Sequence, residues 1–170
     1  MVRTMIRITA LAFALSTLAA GAYAQTGLGV FSDWEAARTE LEGAPVCYAA
    51  STPKSSLPAG ARRGKIALVV SNRPSEKVAG EVMVMAGYPY RPDSEVTIDI
   101  GGKTFALFTN GENAWARDAA GDKALVDAMR AGNSMTVKGT SQRGTVTTDT
   151  YSLRGVSAAL DKINAECPAR

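Results

Sequence analysis

The sequence predicts a mainly β protein, an antiparallel β-sandwich or flattened barrel with two helices, one of them C-terminal. Three observations predict it. Short stretches of alternating or continuous apolar residues recur along the chain, separated by Gly, Pro, Ser and Asn. Only two segments, 121–132 and 155–167, show helical spacing. The order of strands, then a helix, a hairpin and a terminal helix suits a sheet with helices packed on an edge or face.

Residues 1–24 are expected to be an export signal. Arg3 and Arg7 precede an apolar run from Ile8 to Ala20, and Ala22-Tyr23-Ala24 offers small residues where a signal peptidase reads. The run is shorter than the roughly 20 residues that span a bilayer. No cysteine stands at the cleavage point for lipid attachment, and no later segment reads as a membrane span. Cleavage before Gln25 leaves residues 25–170 as one expected domain of 146 residues. Loss of the two arginines lowers the formal net charge from +3 to +1. So small a charge gives little support to a nucleic-acid or general membrane-surface role.

The first expected strands are "DWEAAR" (33–38) and "PVCYAAS" (45–51), both short. "KIALVVS" (65–71) and "EVMVMAG" (81–87) are nearly continuous apolar runs, the pattern of central strands. Between them "NRPSEKVAG", with Pro74 and Gly80, reads as a loop or short edge. "EVTIDIGGKTFALF" (95–108) is the clearest local signal. Val96, Ile98 and Ile100 alternate with Thr97 and Asp99, and Gly101-Gly102 supplies the positive φ angles of a two-residue turn. That turn places Ile98 opposite Phe105 and Val96 opposite Leu107, with the large apolar residues on one face.

The segment "GDKALVDAMRAG" (121–132) sets Leu125, Ala128 and Met129 on one helical face and stops at Gly132. "SMTVKGT" (134–140) and "TVTTDTYSLRG" (145–155) flank a turn at Ser141–Gly144. Val146 and Tyr151 fall on opposite faces there, which a bulge would reconcile. "GVSAALDKINAEC" (155–167) spaces Val156, Ala159, Leu160 and Ile163 as a helix before Pro168. Trp34 and Trp115 are read as core.

The chain has no histidine. Ser-His-Asp and Cys-His catalysis are therefore absent, as is the commonest zinc and copper ligand. Asp93 with Glu95, and Asp118 with Asp122, read as solvated turn and helix-start charges rather than a catalytic pair. "IGGKTF" lacks the upstream glycine of a phosphate loop. No cofactor, metal or catalytic residue is expected, and the protein is expected not to be an enzyme; a histidine-free hydrolase using carboxylates is the alternative.

Cys47 and Cys167 are the two cysteines. Two thiolates alone are a poor zinc site, since structural zinc takes four ligands. An exported chain with an even cysteine count points to a disulfide, here enclosing 119 residues. Two buried free thiols are the alternative.

Three surface features remain. "PKSSLPAGARRGK" (53–65) gathers Lys54, Arg62, Arg63 and Lys65 in a Ser, Pro and Gly-rich loop suited to an anionic glycan, lipopolysaccharide or an acidic protein, or to plain solvation. "AGYPYRP" (86–92) sets Tyr88 and Tyr90 beside Pro89 and Pro92, as a recognition ledge or a sheet edge. Trp115 and Arg117 follow the turn at Asn110-Gly111. The candidate partner-binding surface is Arg62, Arg63, Lys65, Tyr88 and Tyr90.

"FSDWEA", "VCYAAS", "VVSNRPSEKVAGEVMVMAGYPY" and "TDTYSLRGVSAALDKINAEC" occur in that order and span most of the mature chain. The set resembles the invasion-associated locus B family of bacterial exported proteins. The resemblance implies a small β-rich domain, periplasmic, outer-membrane-associated or secreted, and a part in host-cell entry. It brings no catalytic residues. Many members carry a further cysteine pair in mid-chain, where this sequence has Trp115-Ala116-Arg117. The expected function is non-enzymatic binding of a protein or an envelope or host-surface ligand. The alternative is a periplasmic housekeeping or chaperone-like factor unrelated to hosts.

Overall fold

The computed structural model describes residues 25–169, so the expected export signal lies outside the described residues. Among the described residues, eleven strands form one antiparallel sheet. They are β1 (Thr26–Phe31), β2 (Trp34–Leu41), β3 (Ala44–Ser51), β4 (Ser55–Leu57), β5 (Ala67–Arg73), β6 (Val78–Met85), β7 (Glu95–Ile100), β8 (Lys103–Asn110), β9 (Asn113–Trp115), β10 (Ser134–Thr140) and β11 (Val146–Ser152). The two α-helices among the described residues are α1 (Ala119–Ala131) and α2 (Val156–Glu166). In space the strands run β1-β2-β3-β5-β6-β9-β8-β7-β10-β11-β4, and the sheet does not close into a barrel.

The hairpin of β7 and β8 has the register its alternation dictates. Val96 faces Leu107 and Ile98 faces Phe105, with Gly101 and Gly102 at positive φ between the strands. β5 and β6 are central, and both are shifted from their apolar blocks toward the turn that joins them, β5 ending at Arg73 and β6 starting at Val78. The expected loop shrinks to a 3-10 turn at Pro74–Glu76, and a bulge between Ser71 and Arg73 absorbs the mismatch. Asn72, inside this irregularity, is buried and fully used. Its Oδ1 accepts from the Gly80 N–H, and its Nδ2 donates to Asn164 Oδ1 and to the Cys167 carbonyl.

β10 and β11 pair without a bulge, against the expectation raised by Val146. Tyr151 is fully buried, and Val146 points into solvent at the strand's open end, 60% exposed. Three strands have weak sequence patterns and lie outside the expected set: β1, β4 and the three-residue β9, which pairs with β6 and β8. β1 is a mostly exposed edge held to β2, and the three-residue β4 pairs with β11 inside the supposed Ser/Pro loop.

The inward side chains form one apolar cluster, from Trp34 and Val70 through Ile98 and Met135 to Tyr151. α2 lays Val156, Ala159, Leu160 and Ile163 against β1, β2 and β3. α1 packs on β6 through Leu125 and Met129. The pairing of β9 with β6 covers Met85, Val84 and Met83 and stops there, which leaves the Val82 N–H without a strand partner. Asp122 of α1 accepts that N–H at 2.9 Å. Asp122 is thus buried, a correction to its reading as a solvated charge, whereas Asp118 does cap the helix start by accepting from the Gly121 N–H. Burial pushes the Asp122 carboxyl above its ordinary value, with the Val82 bond opposing.

The two ends of the sheet meet without pairing as strands. Trp34 Nε1 donates to the Ser152 carbonyl at 3.0 Å, and the Asp33 N–H donates to the Arg154 carbonyl. Lys54 pairs with Asp33, and that hydrogen bond holds the Asp33 carboxyl below its ordinary value. Gly155 starts α2 at φ 89°, pressed against Phe31 so closely that an added Cβ would lie 1.8 Å from the Phe31 carbonyl oxygen. Cys47 of β3 and Cys167 beyond α2 form a buried disulfide, their Cα atoms 5.8 Å apart.

Candidate functional site

Three segments distant in sequence converge at one end of the sheet. The first is the loop 58–64, the second the stretch 86–90 after β6, and the third the turn 141–145 between β10 and β11. Each is pinned. The Gly64 N–H donates to the Gly87 carbonyl at 2.7 Å, so closely that a Cβ on Gly87 would lie 2.8 Å from Gly64 backbone atoms. Gly87 also sits at φ 70°, so glycine is required there twice over. The Gln142 N–H donates to the Pro89 carbonyl at 2.8 Å, and the Arg91 N–H to the Thr140 carbonyl at 2.9 Å. Between these segments lies a cleft of about 800 Å³.

Beneath the wall is a buried charge pair. Arg63 sends both terminal nitrogens to the two carboxylate oxygens of Asp149, each at 2.7 Å, and its Nε to the Ala86 carbonyl at 2.9 Å. Only 5% of the Arg63 side chain and 4% of Asp149 reach solvent. Burial works against the guanidinium charge, but the bonds to Asp149 outweigh it and hold Arg63 above its ordinary value. The guanidinium lies 5.0 Å from the Tyr88 ring centre, and Tyr88 meets Tyr90 edge to face at 5.3 Å. The Tyr88 hydroxyl shares a 2.6 Å hydrogen bond with Thr147 Oγ1. Burial raises the Tyr88, Tyr90 and Tyr151 phenols above their ordinary value, so all three stay neutral near pH 7. Among the described residues, the Tyr151 hydroxyl is buried without a hydrogen-bond partner.

The predicted surface residues therefore divide. Arg62, Arg63 and Tyr88 line the cleft. Arg63 and Tyr90, expected on the exposed face, turn inward, because Asp149 neutralises the one and the sheet interior buries the other. Lys65 is exposed but lines a second cleft of about 550 Å³, with Trp34, Tyr48 and Lys54. Sequence reasoning missed Gln142, Arg143 and Thr145, which complete the lining. It also missed Asp149, whose inward position follows from its alternation with the core residue Tyr151.

Trp115, read as core, is half-buried on the outer face, stacked on Phe108 with ring centres 5.8 Å apart. Its neighbour Ala114 takes the core position instead. Cross-strand register aligns Ala50, Val69, Met83, Trp115 and Phe108 across five strands, with Glu35 and Glu95 at the two ends of the row.

A sequence profile described as invasion associated locus B (IalB) protein matches residues 34–164. The chain belongs to the IalB family. The crystal structure of invasion associated protein B from Bartonella henselae matches this IalB-family chain with a TM-score of 0.60 and 18% identity. The match covers 81% of this chain and 95% of that one. At that identity the likeness is one of fold. No curated protein matches the sequence.

Proposed function

We propose that this IalB-family domain is an exported, non-enzymatic protein that binds a partner at the cell envelope or on a host surface, and does so through the cleft between residues 58–64, 86–90 and 141–145. The observation that carries this is the cleft's rigidity. Its walls are hydrogen-bonded to one another, and Arg63 anchors the loop through Asp149. A site built in advance does not spend binding free energy on ordering its own loops. A histidine-free chain lacks the side chain that most often serves as a general base. The N-terminal export pattern and the family's association with invasion support a role outside the cytoplasm.

The test compares immobilised wild type with an Arg62→Ala/Arg143→Ala variant in capture from envelope and host-membrane extracts. Wild type retains a component that the variant releases. Equal retention would refute the cleft as the binding site, and saturable hydrolytic turnover by wild type would refute a non-enzymatic role.

A second reading, an envelope housekeeping factor with chaperone-like action, is favoured by the half-exposed apolar row that includes Val69, Met83, Trp115 and Phe108. It predicts that the protein suppresses aggregation of an unfolded client and that Trp115→Ser weakens this, with cleft variants unaffected.

A further inference from the structure

We infer that the cleft takes an acidic sugar, a hydroxylated ring bearing one carboxylate, with Arg62 and Arg143 as the carboxylate ligands. The inference rests on the cleft being the binding site and names the chemistry it selects. Its volume of about 800 Å³ matches a pocket for a small ligand or the terminal unit of a chain, not the flat surface of a protein interface.

The charges decide the class. Arg62 comes from the 58–64 loop and Arg143 from the β10–β11 turn, so they reach the cleft from different segments. Both are exposed, and among the described residues neither lies within ion-pair distance of a carboxylate. Arg63 and Asp149 cancel each other underneath. Glu112 adds one negative charge to the lining. Two free guanidinium groups against one carboxylate leave a single positive charge, which suits a monoanion better than a phosphate monoester. A planar guanidinium grips a carboxylate through two parallel hydrogen bonds.

The remaining lining suits hydroxyl groups. Gln142 and Thr145 supply exposed side chains able to donate and accept, and Glu112 accepts from a sugar hydroxyl. Pro58, Ala61 and Pro89 provide apolar surface for the C–H face of a ring. A bare carboxylate uses only the arginines, and a neutral sugar uses only the rest.

Calorimetric titration with galacturonate, galactose and acetate separates these contributions, since the first two differ only in carboxylate against hydroxymethyl. Galacturonate is expected to bind about tenfold or more tightly than either partner compound. Arg62→Ala and Arg143→Ala are each expected to weaken it about tenfold, at unchanged thermal unfolding. Added salt weakens it further, because the arginines are at the surface. Galactose or acetate binding as well as galacturonate overturns the inference, as does galacturonate binding that survives Arg143→Ala. If none of the three binds while envelope extracts still yield a component dependent on Arg62 and Arg143, the acidic-sugar assignment fails and the cleft remains the binding site.

Discussion

Replacing Arg63 by Ala leaves the Asp149 carboxylate buried without its partner and frees the Ala86 carbonyl. Breaking one side of such a pair costs about 3–5 kcal/mol, whereas replacing both charges by apolar residues is often near neutral. Urea unfolding should therefore show Arg63→Ala strongly destabilised and Arg63→Met/Asp149→Leu much less so. Asp122 offers a second test. Its folded carboxyl titrates above the ordinary value of 3.8 because burial disfavours the charge. The folded state then holds the proton more tightly than the unfolded state, so this residue's contribution falls as pH rises from 3.8 through the folded value. Asp122→Asn keeps an acceptor for the Val82 N–H without the charge. Its stability relative to wild type should rise across that window, measured by unfolding at stepped pH, while Asp122→Ala loses about 1–3 kcal/mol for the orphaned N–H. Neither role was visible as spacing along the chain. Arg63 sits 86 positions from Asp149, and only the folded sheet brings them together.

At the scale of elements, α2 depends on how the residue that caps its start meets the opposite end of the sheet. Gly155 combines a left-handed conformation with contact against the Phe31 backbone. Gly155→Ala costs about 1–2 kcal/mol for the conformation alone. Displacement of β1 adds to that, so the melting temperature should fall by several degrees or more. Strong local patterns carried through to the structure. The 95–108 hairpin kept its register because a two-residue turn leaves one way to put Ile98, Phe105, Val96 and Leu107 on a common face. α2 kept its buried face because Val156, Ala159, Leu160 and Ile163 recur at helical spacing. Weak patterns did not carry through. β1 and β4 are edges with little inward apolar content, so their existence rests on partners rather than on their own residues. Trp115 went to the outer face because the three-residue β9 must point Ala114 inward to match its neighbours.

For the molecule as a whole, the unclosed sheet is held by links that are not strand pairs. The Cys47–Cys167 disulfide and Asn72 fasten the residue after α2 to β3 and β5, and Trp34 with Asp33 joins the two ends of the sheet. Removing the disulfide with Cys47→Ala/Cys167→Ala should cost about 2–5 kcal/mol, read as a lower urea midpoint. Both sulfurs are buried, so a folded sample should resist thiol reductant until denaturant is added. Cysteine parity and the export pattern made this link legible in the sequence. The cleft was half legible. Its loop arginines and Tyr88 stood out by composition, but Arg143 and Gln142 looked like an ordinary turn until hydrogen bonding to Pro89 placed them opposite.

The central claim is that the domain acts through this cleft. Photo-cross-linking in cells exporting the full chain tests it most directly, with a photoreactive residue placed at Gln142 in one strain and at Trp115 in another. The account predicts partner adducts from position 142 and none from position 115. Adducts from 115 alone, or from neither position, would contradict it.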